Sequence, residues 1–119
     1  MAQLIHKKKV ILDEMKYSTS LWQISRGLMF ASKKKVKKGM CLVMPSTKDV
    51  KFGSAVTMMF CFHHYEIIFV NSKFKVVDKV ILKPFKSTYV PKAAAKYVVE
   101  SLPNRFSMIE IGDKVEIKT

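Results

Sequence analysis

Apolar and polar positions in this chain form short runs that predict a mostly β structure. Residues 40–44 and residues 67–70 are continuous apolar runs, which are typical of buried strands. Further segments favour strand because β-branched and aromatic side chains recur in them. They are residues 9–12, 55–62, 74–82, 95–100 and 114–118. The polar residues 71–73 between two of these runs predict a turn, so that residues 67–70 and 74–82 form a hairpin.

One segment departs from the β pattern and predicts a short helix. Ser18, Thr19 and Ser20 are good N-cap residues, and apolar side chains follow at helical spacing. These side chains are Leu21, Trp22, Ile24, Leu28 and Met29. Gly27 favours an early end to this helix, after about two or three turns. We therefore expect a mainly β fold, either a small antiparallel β-sandwich or a partly closed barrel with one or two short helices, built from residues 1–119 as a single domain.

The chain is strongly basic, with a formal net charge of +13 that comes almost entirely from lysine. Two lysine clusters stand out: Lys7, Lys8 and Lys9, and then Lys33, Lys34, Lys35, Lys37 and Lys38. A cationic cluster attracts nucleic acid through counterion release and a long-range field. Arginine supplies the bidentate contacts to phosphates and bases, however, and only Arg26 and Arg105 are present. The clusters therefore allow two interpretations, a polyanion-binding surface or a surface that keeps the protein in solution.

The cysteines and the hydropathy pattern indicate a cytoplasmic protein. Cys41 and Cys61 lie in apolar strand-like segments rather than in a disulfide framework, which favours free thiols in a reducing compartment. No apolar run approaches the roughly 20 residues that span a bilayer, and the first residues lack the apolar region of a signal peptide. We expect no membrane span, and the oligomeric state is not readable from the sequence.

The polar side chains His63, His64, Tyr65 and Glu66 interrupt the apolar run of residues 56–70. They predict a break in the strand between residues 62 and 67. A carboxylate in such a run must be paired, protonated or directed at a site, because an unpaired buried charge is too costly to persist. This is where the sequence places a site, if the chain has one.

Metal or enzymatic chemistry at this position is an alternative with few residues to support it. Successive side chains of a strand point to opposite faces, so Cys61 and His63 share one face while His64 and Glu66 share the other. Two ligands a face are fewer than the three or four that zinc requires. We therefore expect no metal, no cofactor and no catalytic residue, and a small hydrolase or metal-dependent enzyme remains the alternative.

Several segments in order resemble the domain of unknown function 192 (DUF192) family. They are Ser25-Arg26-Gly27-Leu28-Met29-Phe30, Gly39-Met40, residues 56–70, Lys96-Tyr97-Val98-Val99-Glu100 and Ile111-Gly112-Asp113-Lys114-Val115. The resemblance covers about residues 9–118 and implies a compact, mostly β sandwich or barrel without an assigned activity. It also pairs Arg26 with the carboxylate of Glu66. The chain departs from the family where His64-Tyr65-Glu66 replaces the usual proline, hydrophobic residue and aspartate.

We therefore interpret the chain as a non-catalytic binding module of unknown ligand. Arg26, His64 and Glu66 are the candidate ligand-binding residues, although a structural Arg26–Glu66 pair explains the same pattern without a ligand. The first rival is electrostatic nucleic-acid binding through the two lysine clusters. The second rival is the small hydrolase or metal-dependent enzyme.

Overall fold

A computed structural model describes residues 2–18, 38–44, 64–83 and 89–119. Within these ranges the chain forms seven β-strands. They are β1 (Ala2–His6), β2 (Lys9–Ser18), β3 (Met40–Val43), β4 (Tyr65–Val70), β5 (Val76–Leu82), β6 (Tyr97–Ser101) and β7 (Glu116–Lys118). They belong to one sheet, in the order β5-β4-β6-β3-β2-β1-β7. In the described part of the chain, no helix is long and apolar enough to cross a membrane.

The sheet is mixed rather than purely antiparallel. Five strand pairs are antiparallel, but β2 and β3 run parallel, with Lys16 opposite Met40 and Tyr17 opposite Cys41. A parallel pair needs a crossover of about a dozen residues or more, and the chain between β2 and β3 is long enough to provide it. The expectation of an antiparallel sheet is wrong at this one pairing.

Backbone contacts between the start of β5 and the segment before β7 curl the sheet towards closure. The amide of Val76 donates to the carbonyl of Asp113 (2.8 Å), and the amide of Gly112 donates to the carbonyl of Val76 (2.8 Å). The amide of Val115 donates to the carbonyl of Phe74 (2.9 Å). Since β5 and β7 are the two outer strands of the sheet, these bonds join its opposite edges. The mainly β, partly closed barrel is confirmed.

Both faces of the sheet are buried in its centre. One apolar cluster contains Met40, Leu42, Met44, Tyr65, Ile67, Phe69, Leu82, Ala95 and Val98. The second contains Ala2, Leu4, Leu12, Met15, Cys41, Val43, Ile68, Val70, Val76, Val99, Phe106, Ile109 and Val115. Every residue of β4 is buried, with alternate side chains in the two clusters. Burial on both faces explains why residues 67–70 of this strand form a continuous apolar run in the sequence.

The structure adds one strand and moves several boundaries, since β5, β6 and β7 each begin two residues later than predicted. β1 was not predicted, since its buried side chains alternate with Gln3 and Ile5 and its last buried residue is His6. β2 extends to Ser18 rather than ending at residue 12. The predicted break across residues 63–66 is wrong for Tyr65 and Glu66, which belong to β4. The predicted helix around residues 21–29 and the predicted strand at residues 55–62 lie outside the described residues.

The predicted hairpin of β4 and β5 is confirmed, and its loop is closed by Asn71. The two strands pair from Tyr65–Leu82 to Val70–Val76. The side-chain oxygen of Asn71 accepts hydrogen bonds from the amides of Lys73 and Lys75, both at 3.0 Å. An asparagine oxygen that satisfies two loop amides fixes the conformation of the loop between the strands.

Candidate functional site

The turn between β1 and β2 presents two lysines on left-handed backbone. Lys7 has a φ of 49° and Lys8 a φ of 65°, while His6 and Lys9 on either side pair directly. Positive φ at both central residues is the geometry of the tight hairpin turn that usually contains asparagine or glycine. Lysine is uncommon there and costs roughly 1 kcal/mol per residue. Both side chains are exposed at the end of the hairpin.

A buried histidine fixes this hairpin to the chain before β7. His6 is only 4 % exposed, and its Nε2 lies 2.8 Å from Oδ2 of Asp113. The same carboxylate oxygen accepts the amide of Glu110 at 3.0 Å. The hydrogen bond from Glu110, then that with His6, and the nearby charge of Lys7 hold the pKa of Asp113 below its usual value. Lys7 and the segment around Asp113 are therefore close in space.

Two further lysines lie beside this anchor. Lys75 and Lys114 face each other in an isolated antiparallel bridge, and both side chains are exposed. Like charges directly opposite in a sheet are destabilising. We call Lys7, Lys8, Lys75 and Lys114 the hairpin-end surface. None of these four ammonium groups makes a hydrogen bond or an ion pair with any other described residue.

A groove opens next to the hairpin-end surface at the edge of the sheet. Its volume is about 390 Å³. It is lined by Ile5, Phe74, Val115, Glu116, Ile117 and Lys118. Phe74 is half-buried with a φ of 62°, a conformation that costs of order 1–3 kcal/mol for a residue other than glycine. Its ring stacks on Tyr97 with the centroids 5.2 Å apart and an interplanar angle of 20°.

Other described lysines make contacts inside the protein. Nζ of Lys79 donates to the carbonyls of Phe106 (2.7 Å) and Ile109 (2.8 Å). Nζ of Lys96 donates to the carbonyl of Met44 at 2.8 Å. These two lysines connect segments of the fold, which distinguishes them from the hairpin-end lysines.

The two sequence clusters of lysine do not come together in the described part of the chain. Lys9 is exposed at the start of β2, next to the hairpin end. Lys38 lies near the other end of β2, where the amide of Lys16 donates to the carbonyl of Gly39. At about 3.3 Å per residue, Lys9 and Lys16 are some 20 Å apart along the strand. Nζ of Lys38 lies 3.3 Å from a carboxylate oxygen of Glu14. Lys33, Lys34, Lys35 and Lys37 lie outside the described residues.

Glu66 is occupied by a backbone hydrogen bond. The side chain is 2 % exposed, and Oε1 accepts the amide of Phe106 at 2.7 Å. Glu66 binds the backbone amide of Phe106 and Lys79 binds its backbone carbonyl, so the two side chains hold the loop after β6 on the sheet. His64 precedes β4 and is exposed, while Arg26 lies outside the described residues. The described residues therefore do not test whether Arg26 joins His64 and Glu66 in one site.

A second buried carboxylate, Glu100, was not predicted as a site residue. It lies on β6 opposite Met40 of β3 and Ile67 of β4, and it is 3 % exposed. Burial among these apolar neighbours raises the pKa of Glu100 to about 7. The only signal in the sequence is a single acid at the end of an apolar run, which does not distinguish a buried residue from the exposed end of a strand.

Cysteine and metal chemistry receive no support from the described residues. Cys41 is a free, buried thiol, and burial raises its pKa to about 12, so it stays protonated at neutral pH. No group of three His, Cys, Asp or Glu side chains in the described ranges is arranged to hold a metal ion. Cys61 and His63 lie outside these ranges.

Comparisons with known proteins give a family but no activity. The model of the DUF192 family, described as Uncharacterized ACR, matches residues 3–117. A UPF0127 protein of Pyrococcus furiosus is 32% identical over 114 residues, which cover 94% of this chain and 93% of that protein. A UPF0127 protein of Pyrococcus horikoshii is 30% identical over 105 residues, which cover 87% of this chain and 86% of that protein.

Two crystal structures share the fold at low sequence identity. A protein of unknown function from Novosphingobium aromaticivorans superposes with a TM-score of 0.80 at 18% identity, covering 97% of this chain and 82% of that one. A putative transcription regulator from Sinorhizobium meliloti superposes with a TM-score of 0.75 at 14% identity, covering 98% of this chain and 90% of that one. These likenesses show the fold alone.

Proposed function

Because the chain belongs to the DUF192 family of uncharacterised proteins, whose name implies no activity, we propose a function from the geometry of its charged surface. The protein is a non-catalytic binding module for polyanions, and nucleic acid is the ligand class that fits best. The hairpin-end surface, Lys7, Lys8, Lys75 and Lys114, carries the interaction. Lys9, the remaining lysine of the first sequence cluster, extends this surface along β2.

The observation that supports this proposal is the direct pairing of Lys75 with Lys114 beside the hairpin turn. Two facing ammonium groups repel each other, and Lys7 and Lys8 add charge on a turn that itself favours other residues. A bound phosphate relieves this repulsion and releases the counterions that the lysines and the phosphates hold. The same arrangement has no evident benefit for the folded chain alone.

The small-ligand site at Arg26, His64 and Glu66 has less support. The carboxylate of Glu66 already accepts the amide of Phe106, and the exposed His64 is not held by a described contact. This favours the structural role of Glu66 over a ligand contact. A hydrolase or metal-dependent enzyme that uses Cys61, His63, His64 and Glu66 has no supporting observation in the described residues, and the protonated thiol of Cys41 does not add one.

We place this binding module in the cytoplasm and treat residues 1–119 as one domain. A free thiol at Cys41 supports a reducing compartment. Contacts between β1 and β7, near the two ends of the described chain, support one cooperative unit.

Fluorescence anisotropy of labelled DNA, single-stranded and duplex, tests the proposal at several salt concentrations. We expect binding at low salt whose affinity falls linearly with salt on a log–log plot. Substituting Lys7, Lys8, Lys75 and Lys114 together by glutamine should reduce the affinity at low salt by about a hundredfold or more, since each lost phosphate contact removes counterion release. Absence of binding by the wild-type protein at low salt would contradict the proposal.

A further inference from the structure

We propose that the groove beside Phe74 holds an unstacked base of single-stranded nucleic acid while the neighbouring lysines contact its phosphates. This inference rests on the proposed function. It adds that the ligand is single-stranded and that Phe74 is the residue that recognises its unstacked base. It follows from the position of Phe74, from the lining of the groove and from the charges around it.

Phe74 occupies a loop position that normally requires glycine. Two backbone hydrogen bonds close the loop between β4 and β5. The amide of Phe74 donates to the carbonyl of Asn71, and the amide of Asn71 donates to the carbonyl of Lys75, both at 3.0 Å. In hairpins of this type the last loop residue adopts left-handed backbone, and glycine is usual there. Phenylalanine adopts the same backbone here, with a φ of 62°. The ring of Phe74 packs against the second apolar cluster, which offsets part of the backbone strain, and strained backbone is also common at binding sites.

The ring of Phe74 is placed as a stacking platform. It lies nearly parallel to the ring of Tyr97, which fixes its orientation, and it also lines the groove. A volume of about 390 Å³ falls within the range of roughly 300–1,000 Å³ that small ligands occupy in proteins. Bases stack on aromatic side chains in proteins that bind single strands, with little dependence on sequence.

The charges around the groove separate a position for the base from positions for the phosphates. Lys73 and Lys75 flank Phe74 in the loop, both exposed, and Lys114 faces Lys75 across the bridge. The lining of the groove contains one acid, Glu116, and one lysine, Lys118, beside four apolar side chains. A carboxylate repels phosphate but accepts hydrogen bonds from the amino groups of bases. This arrangement favours a base in the groove and phosphates on the lysines outside it.

The alternative occupant, an extended peptide that adds a strand to β7, is disfavoured by the same lysines. β7 is the outer strand of the described sheet and has three residues. Short edge strands bearing lysine are a common device against edge-to-edge pairing, and Lys118 ends this strand. The edge therefore fits a nucleic acid better than a peptide.

Three probes distinguish this inference from the proposed function: oligo(dC) of about 12 nucleotides, an abasic single strand of the same length and a duplex. The readout is anisotropy at fixed low salt. We expect the wild-type protein to bind oligo(dC) about tenfold more tightly than the abasic strand, because stacking adds to the phosphate contacts. Phe74→Leu should remove this difference and leave the affinity for the abasic strand and the duplex unchanged. Phe74→Trp should retain the preference, and the fluorescence it adds to that of Trp22 in the wild type should be quenched by oligo(dC) but not by the abasic strand.

The outcomes distinguish the base-binding groove from polyanion binding by the lysines. Equal wild-type affinity for oligo(dC) and the abasic strand would overturn the base-binding groove while leaving polyanion binding intact. Retained preference in Phe74→Leu would also overturn it. If Phe74→Leu does not fold, the Phe74→Trp variant decides: a fluorescence change on saturation with oligo(dC) no larger than that of the wild type, which contains only Trp22, contradicts the inference. Failure of all three probes to bind the wild-type protein would contradict the proposed function itself.

Discussion

The ammonium group of Lys79 is hydrogen-bonded to the backbone, whereas the hairpin-end lysines are exposed. Nζ of Lys79 donates to two backbone carbonyls, at 2.7 and 2.8 Å, and connects β5 to the loop after β6. Lys75 and Lys114 face each other on the surface, and neither forms an ion pair with a described residue. The first arrangement stabilises the chain by itself, whereas the second brings two like charges together, which is the basis of the proposed anion-binding surface. The difference shows that a net charge of +13 does not distinguish structural lysines from lysines available to a ligand, and that the contacts of each lysine do.

The largest effect on stability is expected from Lys79→Met. The substitution removes two charge-assisted hydrogen bonds and leaves the carbonyls of Phe106 and Ile109 without this donor, which should cost about 3 kcal/mol of unfolding free energy. Chemical denaturation measures the loss, and Lys83→Met, at an exposed lysine just after β5, is the matched control. A cost as small as that of the control would show that Lys79 does not hold the loop.

Glu100 extends the comparison to carboxylates and gives the next largest effect. Burial raises its pKa from the ordinary value of 4.5 to about 7, so the folded state binds this proton more tightly than the unfolded state. The contribution to stability is complete below about pH 4.5, is lost as the pH rises towards 7, and amounts to about 3 kcal/mol. Glu100→Gln should remove this loss when unfolding free energies are compared across that range.

Asp113 does not obscure this test. Its pKa is lowered from an ordinary value of 3.8, so its contribution disappears at lower pH than the range in which Glu100 titrates. Glu110→Gln, at an exposed position, controls for the loss of one acidic charge. If the stability of Glu100→Gln falls as steeply as that of the wild type when the pH rises from 4.5 to 7, Glu100 is not the group with the raised pKa.

The smallest effect, and the one with the opposite sign, is expected at the bridge. Lys75→Gln or Lys114→Gln should increase stability by roughly 0.2–1 kcal/mol at low salt, because each removes one facing pair of like charges. A double-mutant cycle measures the coupling between them, which should weaken as salt is added. Lys38→Gln is the control, since it removes an exposed ion pair with Glu14 and should cost less than about 1 kcal/mol. A favourable coupling between Lys75 and Lys114 would show that the bridge is not strained by charge.

The strands that the sequence predicted well are those buried on both faces. β3 and residues 67–70 of β4 are continuous apolar runs because each strand contributes to both clusters. β1 escaped prediction because its outer side chains are polar or half-buried and because His6 ends it. The buried histidine bonds to Asp113, which lies 107 residues later in the sequence, and local periodicity does not indicate such a contact.

The candidate site was less predictable than the fold. The sequence grouped lysines by their neighbours along the chain, whereas the structure brings Lys75 and Lys114 next to Lys7 and Lys8 through the curl of the sheet. Phe74 was assigned to a strand, because its aromatic side chain favours one. Its left-handed backbone depends on the loop contacts of Asn71, so the groove had no signature in local sequence.

A comparison of two variants with the same net charge tests most directly whether the hairpin-end surface is the binding site. One replaces Lys7, Lys8, Lys75 and Lys114 by glutamine, and the other replaces the same number of lysines elsewhere: Lys16, Lys38, Lys83 and Lys92. For a single strand, each phosphate contact contributes about 0.7 to the log–log salt slope of binding. We expect the hairpin-end variant to lose up to about three units of slope and the control variant less than about one. Equal losses in the two variants would show that net charge alone governs binding, and would contradict the hairpin-end surface as the site.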